Sequence, residues 1–140
     1  MSISMEELLK GKNLVDLPKE HQENLAILLE KMNKIRDLWG KPMTVTSGYR
    51  SKEDHLRIYK ELAVKRNKPF DEKAIPWGSA HLKAAAVDIA DNSEYTLYNW
   101  CQSNIKTLED VGLWCEVKDD QKRVHFQIYP PKSGHRFFDP

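Results

Sequence analysis

Only two cysteines, Cys101 and Cys115, occur in 140 residues, and they form no paired metal motif. A disulfide framework is therefore not expected; both thiols read as small core residues. Also lacking is an excess of one charge: Lys and Arg number 22 against 21 Asp and Glu, a net +1. That balance gives no general pull toward nucleic acid or an anionic membrane. No apolar run approaches the length of a membrane span. The first ten residues are too acidic and polar for a secretory signal. Synthesis in the cytoplasm is expected, with some other route of release if the protein acts outside. What is present is ordinary globular composition, 40% hydrophobic and 31% charged. The length suits one domain over residues 1–140 with one core, and a monomer is expected.

The patterning predicts alternating helices and short strands. Glu6 to Lys10 can form a short helix with Ser4 as N-cap, ended by Gly11. After the connector 13–16, Leu25, Leu28, Leu29, Met32, Ile35, Leu38 and Trp39 recur at spacings of three and four. That predicts a long amphipathic helix, entered at Asp16 or Leu17 with Pro18 in its first turn and stopped by Gly40 and Pro42. Met43–Thr46 reads as a strand. Ser51 can cap a third helix over Lys52–Lys65 with Leu56, Tyr59, Leu62 and Ala63 inward. The stretch 66–77 reads as a loop, and Ala84–Ala90 as a buried strand. Asn92 or Ser93 can cap a helix running to Asn104, and Lys106–Asp110 reads as a connector.

Residues 79–88 carry the chemistry-bearing pattern: Ser79, His81 and Asp88 with small or apolar residues between. Imidazole nitrogen and carboxylate oxygen both suit a zinc-type divalent metal. Asp88 between Val87 and Ile89 would be an expensive buried charge unless paired or metal-bound. The best third ligand is His125. Two His and one carboxylate leave a position open for water, as catalytic zinc sites do. The plainer alternative is that His81 caps a loop, Asp88 pairs with a lysine, and His125 is an ordinary strand residue.

Gly112–Lys118 and Arg123–Tyr129 both alternate, separated by the polar turn 119–122. A symmetric turn sets Val117 opposite Val124, Cys115 opposite Phe126 and Leu113 opposite Ile128, so the apolar sets meet on one face. The same register sets Glu116 opposite His125, with Cβ atoms about 4.5–5.5 Å apart. In a zinc site the bound water has its pKa lowered toward neutrality. Glu116 is then a candidate to take the proton, and Arg50, at a strand–helix corner, a candidate to polarise the scissile carbonyl. Ser79 could orient substrate or a ligand, and Ser47 and Tyr49 beside Arg50 are further candidates for substrate contact. Together the set suits an amide hydrolase. Alternatively, Arg50 is a surface or capping arginine, and Glu116 pairs with Lys118 or Arg123 on a solvated face. Asp119 and Asp120 read as turn formers, either of which could supply the acid. His21, His55 and His135 read as surface residues, His135 being the one spare ligand.

The pattern Ser79-x-His81-x6-Asp88, preceded by Ser47-Gly48-Tyr49-Arg50-Ser51 and followed by Val124-His125, resembles the zinc D-alanyl-D-alanine carboxypeptidases, the M15 peptidases. That family includes vancomycin-resistance carboxypeptidases and dipeptidases and phage L-alanyl-D-glutamate endolysins. The resemblance runs from about Val45 to Tyr129. It implies an α+β fold of the Hedgehog/D-Ala-D-Ala-peptidase kind, with a small antiparallel sheet flanked by helices. It also implies one zinc on His81, Asp88 and His125, Arg50 on the carbonyl, and cleavage of peptidoglycan stem peptides.

Two departures stand out: Ala84 where the family often has glycine, and Lys122 where its catalytic acid usually precedes the second histidine by three. The ending, Val-His-x-Gln then Pro-Pro-x-Ser-Gly, resembles a phage-encoded subgroup, in which Glu116 would replace the missing acid. The resemblance therefore points to a phage or prophage peptidase acting on the cell wall, released through a holin or carried on the virion. No separate wall-binding domain is visible. The rivals are a non-catalytic zinc-binding module that binds peptide or a virion partner, and a phage structural protein with a vestigial site.

Overall fold

Leu25, Leu28, Met32 and Ile35, spaced by three and four, are all fully buried along helix α2 (Lys19–Trp39) in a computed structural model that describes residues 2–139. Met1 and Pro140, the ends of the expected domain, lie outside the described residues. Pro18 precedes the first turn of α2, where its missing N–H costs no helical bond. Gly40 ends the helix in the left-handed region at φ 76°. Ahead of it, α1 (Met5–Leu9) begins in a capping box. Ser4 Oγ accepts from the Glu7 N–H at 3.2 Å, and Glu7 Oε1 accepts from the Ser4 N–H at 3.0 Å. The short helix delivers Leu8 and Leu9 to the core.

The remaining elements follow as β1 (Val45–Ser47), α3 (Lys52–Lys65), β2 (Ala86–Ala90), α4 (Thr96–Ser103), α5 (Ile105–Val111), β3 (Trp114–Glu116), β4 (Arg123–Gln127) and β5 (Phe137–Phe138). The strands form one sheet in the order β1-β2-β4-β3-β5. This is the expected α+β class. The sheet is antiparallel except that β5 runs parallel to β3, as Cys115 pairs with Phe137. The tail thus returns to the body through its two phenylalanines. Val87, Ile89, Val124 and Phe126 meet the buried faces of α2, α4 and α5 in one apolar cluster that also holds Cys101 and Cys115. Both thiols are free. Among the described residues no helix is long and apolar enough to cross a membrane.

The hairpin register is the one the alternation predicts: Cys115 faces Phe126 and Trp114 faces Gln127. Several expectations need correction. Leu38 is exposed; ten residues beyond Leu28, it points roughly 80° away in helical projection. Residues 106–110 are helical: Leu108 is buried against the core, and Gly112 supplies a left-handed stop. The first strand starts later, at Val45. Val117 lies past the end of β3 and is exposed, its N–H bonding the Phe138 carbonyl at 2.8 Å. The fourth helix starts at Thr96 rather than after Ser93. Asp91 accepts from the Leu97 and Tyr98 N–H groups, and Asn92 from Thr96.

Candidate metal centre

Antiparallel pairing of β2 and β4 sets Asp88 directly opposite His125. His81 reaches the same point from a 3₁₀ turn at Ala80–Lys83, whose start is fixed by the Ser79 hydroxyl accepting the His81 N–H at 3.3 Å. Ala84 closes that turn in the left-handed region at φ 59°. A glycine is free there, whereas alanine carries a Cβ cost of about 1–2 kcal/mol. His81, Asp88 and His125 are 3%, 2% and 4% exposed, so none of them is solvated as an ordinary surface residue. Each offers a ligand atom, and the three atoms lie within 4.8 Å of one another.

The outer nitrogens of both rings are already engaged. His81 Nδ1 lies 2.8 Å from the Gly48 carbonyl, which can only accept, so Nδ1 carries the proton there. His125 Nε2 lies 2.8 Å from Gln127 Oε1, while the Gln127 amide nitrogen donates to the Tyr129 carbonyl at 2.8 Å. In the neutral rings the nitrogens turned toward Asp88 are therefore lone pairs. They are His81 Nε2, 3.2 Å from Oδ1, and His125 Nδ1, 2.9 Å from the same oxygen. Two imidazole lone pairs and a carboxylate converging on one point require a cation or a proton between them. The donor set and the carbonyl partners behind each ring fit a metal of zinc type.

Gly48 is essential to this arrangement. A Cβ there would collide with the Leu8 carbonyl, which accepts the Tyr49 N–H at 2.8 Å. The bare backbone lets α1 close against the loop that presents the Gly48 carbonyl to His81.

Charge around Asp88 is arranged in its favour. Burial alone would lift its carboxyl, but the charge of His81 and the N–H groups that both rings turn toward it once protonated hold it well below the ordinary carboxylate range. Burial pushes the His81 pKa down, whereas for His125 the Asp88 hydrogen bond and charge outweigh burial and raise it. Two arginines complete the shell, where a lysine was the plainer expectation. Arg50 Nη2 lies 3.5 Å from Asp88 Oδ2, and Arg123 Nη1 lies 3.2 Å from Oδ1. Arg123 also reaches Glu116 at 3.5 Å and Asp119 at 3.3 Å. Glu116 Oε2 lies 3.8 Å from His125 Nε2. The cross-strand register thus puts a carboxylate at the edge of the centre.

The other expected residues fall as follows. Ser47 Oγ accepts from Arg50 Nε at 3.0 Å, and Ser79 caps the His81 turn. Tyr49 stands apart, its ring packed on the apolar core and 6.2 Å from His21. Asp119 accepts from the Gln121 N–H in the turn, Asp120 pairs with Arg66, and His135 is exposed. Lys122 is an exposed turn residue at φ 52°, its carbonyl accepting the Asp91 N–H at 2.8 Å.

His55 overturns the surface expectation: it is fully buried and contacts Arg50. Its spacing to Tyr59 and Leu62 is helical, and that periodicity was the available signal. Arg123 lies two residues before His125 in β4, on the same side of the strand, which strand alternation indicates. Tyr59 also borders a cleft of about 170 Å³ between α3 and the 68–75 segment, with Leu62, Phe70 and Ile75 in its wall.

No curated protein matches the chain. Residues 2–58, about two fifths of its length, match the family model described as Peptidase M15. The matched stretch contains Ser47 and Arg50 and ends before His81, Asp88 and His125. Over those residues the chain is similar to the Peptidase M15 family.

Proposed function

We propose that this protein is a zinc peptidase of M15 type that cleaves peptidoglycan stem peptides, encoded by a phage or prophage and acting on the cell wall. The observation that carries this reading is the convergence of His81 Nε2, Asp88 Oδ1 and His125 Nδ1, each ring tied from behind to a carbonyl oxygen. The similarity of residues 2–58 to Peptidase M15 supports it independently.

His81, Asp88 and His125 would hold the zinc, which supplies a Lewis acid and lowers the pKa of bound water. Arg50 uses one N–H each on Ser47, His55 and Asp88. A guanidinium has five donors, so both Nη atoms keep an N–H for the scissile carbonyl oxygen as negative charge develops on it. Glu116 Oε2 would take the proton that the attacking water loses as its oxygen bonds the carbonyl carbon, and would return it to the amine as the C–N bond breaks. Arg123 holds the other carboxylate oxygen, which fixes the direction of Oε2.

A second reading, a non-catalytic zinc-binding module for peptide or a virion partner, is favoured by the exposed Lys122 at the family's usual acid position. Zinc content and hydrolysis of a stem pentapeptide separate the two. For the peptidase, Glu116→Gln keeps stoichiometric zinc and loses about 10²–10⁴ in kcat. Zinc without turnover in the wild type leaves the binding module standing. Full activity in Glu116→Gln moves the base to Asp119 or Asp120.

A further inference from the structure

His55 is the one buried residue of α3, placed in the first turn after the Ser51 cap. Its two ring nitrogens face opposite requirements. Nε2 lies 3.1 Å from the Pro76 carbonyl, which only accepts. Nδ1 lies 3.4 Å from Arg50 Nη1, which only donates. One species meets both: the neutral ring protonated on Nε2. Protonation of Nδ1 would set an N–H against an N–H. Tyr59 at 4.9 Å and Trp77 at 5.6 Å pack on the ring and fix its plane. Burial and the Arg50 charge also hold the ring neutral.

Arg50 is consequently gripped from three directions by three different elements. Nε donates to Ser47 Oγ, Nη1 to His55 Nδ1 and Nη2 to Asp88 Oδ2. A guanidinium bound by a single carboxylate can swing about that contact. The histidine, reaching from α3 and itself tied to the Pro76 carbonyl, removes that freedom and links Arg50 to the 66–78 segment.

We propose that His55 is a positioning residue whose Nδ1 lone pair orients the Arg50 guanidinium toward the substrate carbonyl, its one ring proton being held at Nε2 by the Pro76 carbonyl. This rests on the peptidase reading above. A donor displaced by about 1 Å loses on the order of 10²-fold in rate.

The test compares wild type, His55→Leu and His55→Asn, all zinc-loaded, on a stem pentapeptide. Leucine fills the space without an acceptor, whereas asparagine can place an amide oxygen near the Nδ1 position. Expected is a fall of about 10–100-fold in kcat for His55→Leu. KM should stay within about threefold and zinc stoichiometry at one, with most of the loss recovered in His55→Asn. Unchanged kcat in His55→Leu overturns the proposal, as does an equal loss in both variants with zinc retained. The ¹⁵N spectrum of the wild-type histidines is a readout without substrate. An Nε2–H, Nδ1-unprotonated His55, together with a guanidinium signal of Arg50 that changes in His55→Leu and returns in His55→Asn, supports the grip. A proton on Nδ1, or an Arg50 signal indifferent to both variants, overturns it. If the wild type turns over no peptide, the peptidase reading falls and the spectrum alone decides the role of His55.

Discussion

The two faces of β4 differ residue by residue. Val124 and Phe126 enter the apolar cluster, while Arg123, His125 and Gln127 are engaged with Asp88, Glu116 and one another. In a sheet with one solvated face, the second set would be wet. Here His125 and Gln127 are only 4% and 8% exposed. Both faces are largely covered, one by hydrophobic contact and the other by hydrogen bonds and ion pairs. The first tolerates a change of shape at the cost of a cavity. The second tolerates almost no loss of a partner, because whatever remains is a buried charge or an unmatched donor.

The largest expected effects set one residue of each face against the other. Asp88→Ala removes the anion between Arg50, Arg123 and the two imidazoles, and should cost the metal-free protein about 3–5 kcal/mol. Phe126→Ala should cost a similar amount, about 3–5 kcal/mol, through the cavity it leaves. Zinc should distinguish them. Added metal should raise the melting temperature of Phe126→Ala by mass action and leave that of Asp88→Ala unchanged. Equal responses to zinc in both variants would mean that the centre is not where metal binds.

The same contrast explains what could be read from sequence. The apolar face declares itself by alternation: matching Cys115 with Phe126 is enough to set the hairpin register, and Glu116 comes to His125 as a consequence. The meeting of His81, Asp88 and His125 is legible because Asp88 lies between two β-branched residues, where a buried charge needs a partner. His55 is not legible in that way. Whether a helix histidine is buried depends on what covers it, and here that is Trp77 and the Pro76 carbonyl, twenty-one residues further along the chain. Arg123 has the right alternation, but its three carboxylate partners come from two other strands and a turn. The helix at Ile105–Val111 was hidden by its length, since two turns offer only three apolar positions against a polar background.

A smaller effect sharpens the comparison within β4 itself. Gln127→Leu keeps volume and burial but removes the acceptor of the His125 Nε2–H. Losing such an outer partner typically lowers metal affinity about 10–100-fold. Competition with a chromophoric chelator measures it, and Val124→Ala on the opposite face is the control, expected to leave affinity unchanged. If Gln127→Leu binds zinc as tightly as wild type, the carbonyl partners behind the rings are not what holds the ligand set.

The smallest effect is one of pH. The His125 pKa is raised above its ordinary value, because the hydrogen bond and charge of Asp88 outweigh burial. At any pH below that raised value the ring carries a second proton, on the nitrogen that faces Asp88. Metal must displace that proton to bind, so affinity falls as pH falls, by about tenfold per unit for one proton. Above the raised value the ring is already neutral and this dependence flattens. His81 titrates in the other sense: burial lowers its pKa, so it stays available as a ligand further into acid. Zinc affinities taken at half-unit steps from acid upward should therefore rise with a slope of one proton and then flatten at a pH above the ordinary imidazole value, and Phe126→Ala should show the same profile. An affinity that keeps no proton dependence down into the acid range would mean that no proton competes with metal for the lone pair of His125. That result would remove His125 from the set His81, Asp88 and His125 that could hold a metal.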